Sequence, residues 1–206
     1  MNADVKSMLG DALKLLVITV ISGLLLGGVY KVTKDPIAAQ ELKAKQEACK
    51  AVFAEAASFN EITDFDAEAE SAKIHDSYPK QDIDGMYEAL DASGNVIGYV
   101  INVTTHEGYG GDIQFSLGIS NDSVLNGMSL LSISETAGLG MRAGEVLVPQ
   151  FKDKPITVFT YTKTGSTSDS EIDAISGATI TTNAVTNGVN AGIYYYATVL
   201  KGGASN

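Results

Sequence analysis

The segment Asp173-Ala-Ile-Ser176-Gly177-Ala178-Thr179-Ile-Thr181-Thr182-Asn183 gathers hydroxyls, a glycine and a carboxylate directly ahead of an apolar-periodic stretch. Thr181, Thr182 or Asn183 is a suitable N-cap for a helix beginning near Ala184, and an anion set there meets free backbone amides and a positive dipole end. A phosphate suits such a place. Taken as local physics, however, Ser and Thr are what any helix start carries, and the segment reads first as a helix start. Two loops, Gly108-Tyr109-Gly110-Gly111 and Gly138-Leu139-Gly140, lack the G-x-G-x-x-G pattern between a strand and a crossover helix. They read as close-approach loops, where a missing Cβ lets backbone amides near a planar or anionic ligand, or equally as ordinary turns.

Other chemistry is sparse. Neither His75 nor His106 stands beside a nucleophile motif, so no triad is supported and each reads as a solvent-exposed histidine. The one cysteine, Cys49, cannot close an intrachain disulfide, and with two histidines it cannot complete a zinc cage. Arg142, the only arginine, reads as a surface ion-pair partner. Neither a catalytic residue nor a metal site is expected.

The elements that must position the hydroxyl-rich segment follow from periodicity. Met86 to Leu90 and Val96 to Thr105 flank the turn residues Asp91, Ser93, Gly94 and Asn95, a hairpin. Ile113 to Ser120 and Val124 to Ile133, joined through Asn121, Asp122 and Ser123, form a second. Ile156 to Tyr161 supplies a further strand. Ala184 to Leu200 ends the chain as a helix with Val185, Val189, Ile193, Tyr196 and Leu200 on one side. Asn60 to Asp84 is acidic, weakly periodic and contains Pro79, so it reads as a surface connection with little regular structure. The expected class is α+β, an antiparallel sheet flanked by helices.

The amino-terminal part is of another kind. Leu15 to Tyr30 carries no charge, and Lys14 and Lys31 can snorkel, so a helix over about residues 12–32 is long enough to span a bilayer. A cleaved signal peptide is the competing reading, but no small-x-small cleavage site follows promptly, and Lys31, Lys34 and Asp35 come instead. The expectation is an uncleaved single anchor. Gly23 and Gly27 place small residues on one helix face, which suits either a partner helix or the general glycine content of membrane helices. The basic residues are too evenly placed to encode sidedness. Pro36 begins an amphipathic stretch, with Cys49 as a small buried hydrophobe on its apolar side. The expected organisation is a tail (1–11), a transmembrane helix (12–32), a stalk helix (33–60) and an aqueous domain (61–206).

Of the 14 basic and 25 acidic residues, four and three lie before residue 37, which leaves net −12 on residues 37–206. Such a domain repels a phosphate backbone, so nucleic-acid binding is excluded. The 206 residues also exclude a large multidomain enzyme.

Asp173-x-x-Ser176-Gly177-Ala178-Thr179 matches the pattern Asp-x-x-Ser/Thr-Gly-Ala-Thr/Ser at which flavin transferases attach FMN through a phosphoester. With Gly108-Tyr-Gly-Gly111, Glu135-Thr-Ala-Gly138-Leu-Gly140 and Pro149-Gln-Phe151 in the same order, residues 10–200 resemble the FMN-binding domain family. Within it they are similar to the G subunits of Rnf electron-transport complexes, and next to the C subunits of sodium-pumping NADH:quinone reductases. The resemblance implies covalent FMN on Thr179, with Asp173, Ser176, Gly177 and Ala178 shaping the loop and Glu135, Thr136, Gly138, Leu139 and Gly140 beside the flavin. It further implies a flavin transferase during maturation, the other Rnf subunits as partners, and a domain on the outer face of the cytoplasmic membrane. The implied role is an electron carrier in an ion-translocating ferredoxin:NAD oxidoreductase moving sodium or protons, inactive alone. A membrane-tethered sensor or binding module that holds FMN or another ligand without passing electrons on is the alternative.

Overall fold

The computed structural model describes residues 3–203, and the chain divides into two compact units, Met1–Ala44 and Lys45–Asn206. Helix α1 (Ala3–Val52) runs without interruption through residue 36, so Pro36 lies inside a helix instead of beginning one. Within the first unit it is long and apolar enough to cross a membrane, and its apolar stretch is exposed throughout. Leu15, Leu16, Ile18, Leu24, Leu25, Leu26 and Tyr30 all face outward, a display of apolar side chains that water disfavours and acyl chains accept. The hydroxyls of Thr19 and Thr33 bond back to the carbonyls of Leu15 and Val29, each at 2.9 Å, so neither hydroxyl donor is left unsatisfied along this stretch.

In the second unit an antiparallel meander carries the fold. Strands β1 (Ser58–Glu61), β2 (Gln81–Leu90), β3 (Val96–Thr105), β4 (Ile113–Ser120), β5 (Val124–Ser132) and β6 (Lys154–Pro155) pair in chain order. Both expected hairpins are present, because alternating β-branched residues bounded by Asx- and Gly-containing turns specify them locally. The first begins earlier than periodicity indicates, since a bulge between Ile83 and Gly85 breaks the alternation. Beyond α2 (Ala67–Ala72) and the single-turn α3 (Ala143–Val146), helix α4 (Thr179–Tyr195) lies on the face formed by Ile83, Ile101, Val103, Phe115 and Leu117. A Cβ on Gly188 would stand 2.6 Å from Phe115 Cζ and one on Gly192 2.5 Å from Leu117 Cδ1, so this glycine pair sets how close the helix sits. The opposite face is closed by Cys49, Val52 and Phe53, which pack with Tyr87, Ala89 and Val100.

Four expectations are corrected. The stalk helix expected to residue 60 stops at Val52, and Ser58–Glu61 pairs with β2. The connection 60–84 contains helix α2 (Ala67–Ala72), capped by Asp66, whose side chain accepts from Ala69 N at 3.2 Å. A helix this short shows no readable period; tertiary bonds hold it, with Ser71 Oγ accepting from Ile83 N at 2.9 Å and Tyr195 donating to Glu70 at 2.6 Å. Of the strand expected over 156–161 only Thr160 and Tyr161 are in one, β7 (Thr160–Thr162), which pairs in parallel with β8 (Glu171–Asp173), while residues 156–159 run without strand pairing from β6 to β7. Between them Phe159 is buried, and Asn190 of α4 satisfies both its N–H and its carbonyl at 2.8 Å. Finally, α4 starts at Thr179 with Ala178 at the N-cap, a full turn before the expected start. Thr182 resembled a cap because its hydroxyl does bond backbone, but to Ala178 O from inside the helix.

Candidate functional site

The two glycine loops and the hydroxyl-rich segment, dispersed over some seventy residues of chain, converge on one cavity of about 500 Å³. Tyr109, Glu135, Thr136, Leu139, Gly140, Gly177, Ala178, Thr179, Ile180 and Thr181 line it. Seven of the ten residues expected at a site are therefore in its wall; the other three, Gly138, Asp173 and Ser176, are not.

Glu135 ties the site together. Its Oε1 accepts from Gly110 N at 3.2 Å, and its Oε2 accepts from the Thr181 hydroxyl at 3.0 Å, so one carboxylate joins both glycine loops to the first turn of α4. Gly110 passes so close that a Cβ there would fall 2.0 Å from Ser134 O. Gly177, at φ +77°, makes the left-handed turn that brings the chain from β8 into α4 and sets Thr179 at the first helical position. The Thr179 side chain is half-buried, and it lines a second cavity of about 350 Å³ together with Lys163, Ala174, Ile175, Ser176 and Gly177. Ser176 thus shares with Thr179 a cavity that Tyr109 does not line.

Asp173 does structural work. Its carboxylate accepts from Ser166 N at 2.5 Å and from Ser166 Oγ at 3.4 Å, while its backbone N–H and carbonyl bond the Gln150 amide at 2.7 and 3.1 Å. Gln150 is the middle residue of Pro149-Gln-Phe151, which here supports the hydroxyl-rich loop from behind. Arg142 lies outside both cavities with its Nε 3.7 Å from Glu145, a surface pair as expected.

Tyr109, Ile180 and Thr181 belong to the cavity wall although sequence reasoning gave them no site role. Tyr109 lies within the Gly108–Gly111 segment, where an aromatic residue between glycines is the available sequence signal, and the structure leaves it 70% exposed. The apolar surface of Tyr109, Leu139 and Ile180, beside polar Thr136 and Thr179, suits a flat aromatic ligand with a polar tail, and the volume falls within the ordinary range of cofactor sites.

Away from the cavity the histidines are not isolated. His75 Nε2 and His106 Nε2 bond the two oxygens of Asp82 at 2.9 and 2.8 Å, and His106 Nδ1 bonds Asp112 at 2.8 Å. The bonds to Asp82 and Asp112 raise the His106 pKa. Burial works to raise that of Asp82, but the bonds from the two histidines outweigh it and hold it below the ordinary carboxylate value. Among the described residues no group of His, Cys, Asp and Glu is arranged to hold a metal.

Residues 108–194 match the family described as FMN-binding domain, and residues 1–52 match the RnfG N-terminal region. The G subunit of the Na(+)-translocating ferredoxin:NAD(+) oxidoreductase complex of Acetobacterium woodii is 32% identical over 203 residues, 96% of each chain. The chain belongs to the Rnf G-subunit family. Other members are the G subunit of an ion-translocating oxidoreductase complex of Methanosarcina acetivorans, 31% identical over 94% of this chain and 96% of that protein, and the corresponding protein of a proton-translocating ferredoxin:NAD(+) oxidoreductase complex of Clostridium ljungdahlii, 28% identical over 98% of each. The crystal structure of Shewanella oneidensis NqrC shares the fold, with a TM-score of 0.50 over 72% of this chain and 84% of that one at 16% identity.

Proposed function

We propose that this member of the Rnf G-subunit family is a membrane-anchored electron carrier of an ion-translocating ferredoxin:NAD oxidoreductase and holds FMN through a phosphoester on Thr179. Its partners are the other subunits of that complex and, during maturation, a flavin transferase; its aqueous domain faces outward. The observation that carries this reading is the convergence of three separated motifs on one cavity with the half-buried Thr179 hydroxyl in its wall. When bound, FMN supplies the chemistry, because it can accept and release electrons one at a time. The chain's residues hold and orient. Glu135 fixes the two loops against α4, Gly177 presents Thr179, and Tyr109, Leu139 and Ile180 offer the apolar wall. A covalent link on Thr179 keeps the group in place through repeated turnover, so the site needs no tight non-covalent grip and no acid or base of its own.

The test is coexpression with a flavin transferase, denaturation, and a search for gel fluorescence and a mass gain of FMN less one water on the peptide containing Thr179. The adduct is expected on the wild type and absent from Thr179→Ala. A wild-type chain without adduct overturns the reading, and an adduct on the variant overturns the assignment to Thr179.

A further inference from the structure

The phosphoester proposed on Thr179 places a permanent negative charge inside a domain of net charge −12 over residues 37–206, which calls for a cation close at hand. The larger cavity has no basic residue in its wall, and Arg142 is paired elsewhere. The smaller cavity, which shares Gly177 and Thr179 with the larger, has one: Lys163.

The fold holds that lysine in place. Parallel pairing of β7 with β8 sets Thr162 opposite Asp173, and Ala174 N donates to Thr162 O at 2.8 Å, so Lys163 and Ala174 leave the paired strands side by side. The turn after Lys163 is closed by Thr164 N on Thr162 Oγ1 at 3.3 Å and by Ser166 on the Asp173 carboxylate. The motif's first residue, Asp173, therefore fixes the turn that carries Lys163, and its last residue, Thr179, carries the hydroxyl. Lys163 is exposed, and no salt bridge or hydrogen bond ties its ammonium to another residue among those described.

Resting on the flavinylation reading above, we infer that Lys163 is the positioning residue for the flavin phosphate: its ammonium pairs with the phosphoryl oxygens during attachment and with the phosphodiester afterwards. In the attachment step the Thr179 Oγ attacks the flavin-side phosphorus of a flavin dinucleotide in the transferase's active site. The Oγ–P bond forms as the pyrophosphate P–O bond breaks, the nucleoside monophosphate leaves with the bonding pair, and the hydroxyl proton passes to solvent. Nothing is oxidised or reduced. Lys163 neutralises charge on the oxygens that stay with the flavin, and it transfers no proton.

The experiment follows adduct formation by mass spectrometry on the full-length chain in detergent, with a flavin transferase and flavin dinucleotide. Lys163→Ala is expected to slow attachment about tenfold, the value of one charge-assisted hydrogen bond, and Lys163→Arg to restore most of the rate. On the finished adducts, the phosphodiester ³¹P resonance of the wild type is expected to stand apart from that of Lys163→Ala, whose phosphoryl oxygens lack the ammonium, and Lys163→Arg to move it back toward the wild type. Equal attachment rates in wild type and Lys163→Ala, or the same ³¹P resonance in both, overturns the role of Lys163 while leaving the Thr179 linkage standing. A wild-type chain that takes no flavin overturns the linkage itself, and Lys163's role with it.

Discussion

Glu135 commits both carboxylate oxygens to protein donors, one of them the hydroxyl of Thr181, which is buried to 1% exposure. Glu135→Ala therefore strands a buried hydroxyl and frees the Gly108–Gly111 loop, and it is expected to cost about 1–3 kcal/mol in a urea titration and to lower adduct yield. His106 and Asp82 set a pH dependence whose sign follows from their shifts. His106 is raised from 6.5 by its bonds to Asp82 and Asp112, so its contribution is full below about pH 6.5 and is lost as pH rises through the raised value. Asp82 is depressed below 3.8, so its contribution holds above about pH 4 and is lost as pH falls. Thermal midpoints of the wild type are expected to decline from pH 6.5 to 8.5, and His106→Asn to flatten that decline; equal slopes would count against the network. Of these residues Thr179, Glu135 and Gly177 were legible from motif positions, whereas the histidine network was not. Asp82, His106 and Asp112 meet only through the register of β2 on β3 and the loop before β4.

Among the elements, α4 joins fold to site. Its first turn carries Thr179 and Thr181, and its middle rests on Phe115 and Leu117 through Gly188 and Gly192. Gly188→Val is expected to wedge the helix off Phe115, lowering stability in a denaturant titration by about 1–3 kcal/mol and reducing flavin attachment because the first turn moves with the helix. The hairpins β2–β3 and β4–β5 were readable because their alternation and turns are local. The start of α4 was not, because Thr181 and Thr182 look like caps but bond Glu135 and Ala178 from inside the helix. The parallel β7–β8 pair was equally hidden, since three-residue strands hold no period and their pairing rests on Asn190 and Gln150, side chains from elsewhere in the chain.

At the scale of the whole molecule, the aqueous unit includes the end of α1. A fragment starting at Lys45 keeps Cys49, Val52 and Phe53 on the sheet and is expected to be soluble with a single cooperative transition. One starting at Glu55 lacks Cys49, Val52 and Phe53 and uncovers Tyr87, Ala89 and Val100; the missing Phe53 side chain by itself costs about 3–5 kcal/mol, so this fragment is expected to aggregate on expression. Because Cys49 is only 1% exposed, an introduced Ser93→Cys in the exposed β2–β3 turn is expected to be the sole site of labelling by an impermeant maleimide in intact cells, as the proposed outward orientation requires. The sequence by itself determined the membrane-crossing helix, the acidic aqueous domain, the two hairpins and the Asp-x-x-Ser-Gly-Ala-Thr motif at 173–179, since each is written in neighbouring residues. Only the tertiary structure decided that three motifs share one cavity, that Glu135 joins them, and that Lys163 and Thr179 line a second cavity together. Those residues lie up to some seventy positions apart, and strand register and helix packing, which local sequence does not encode, bring them together.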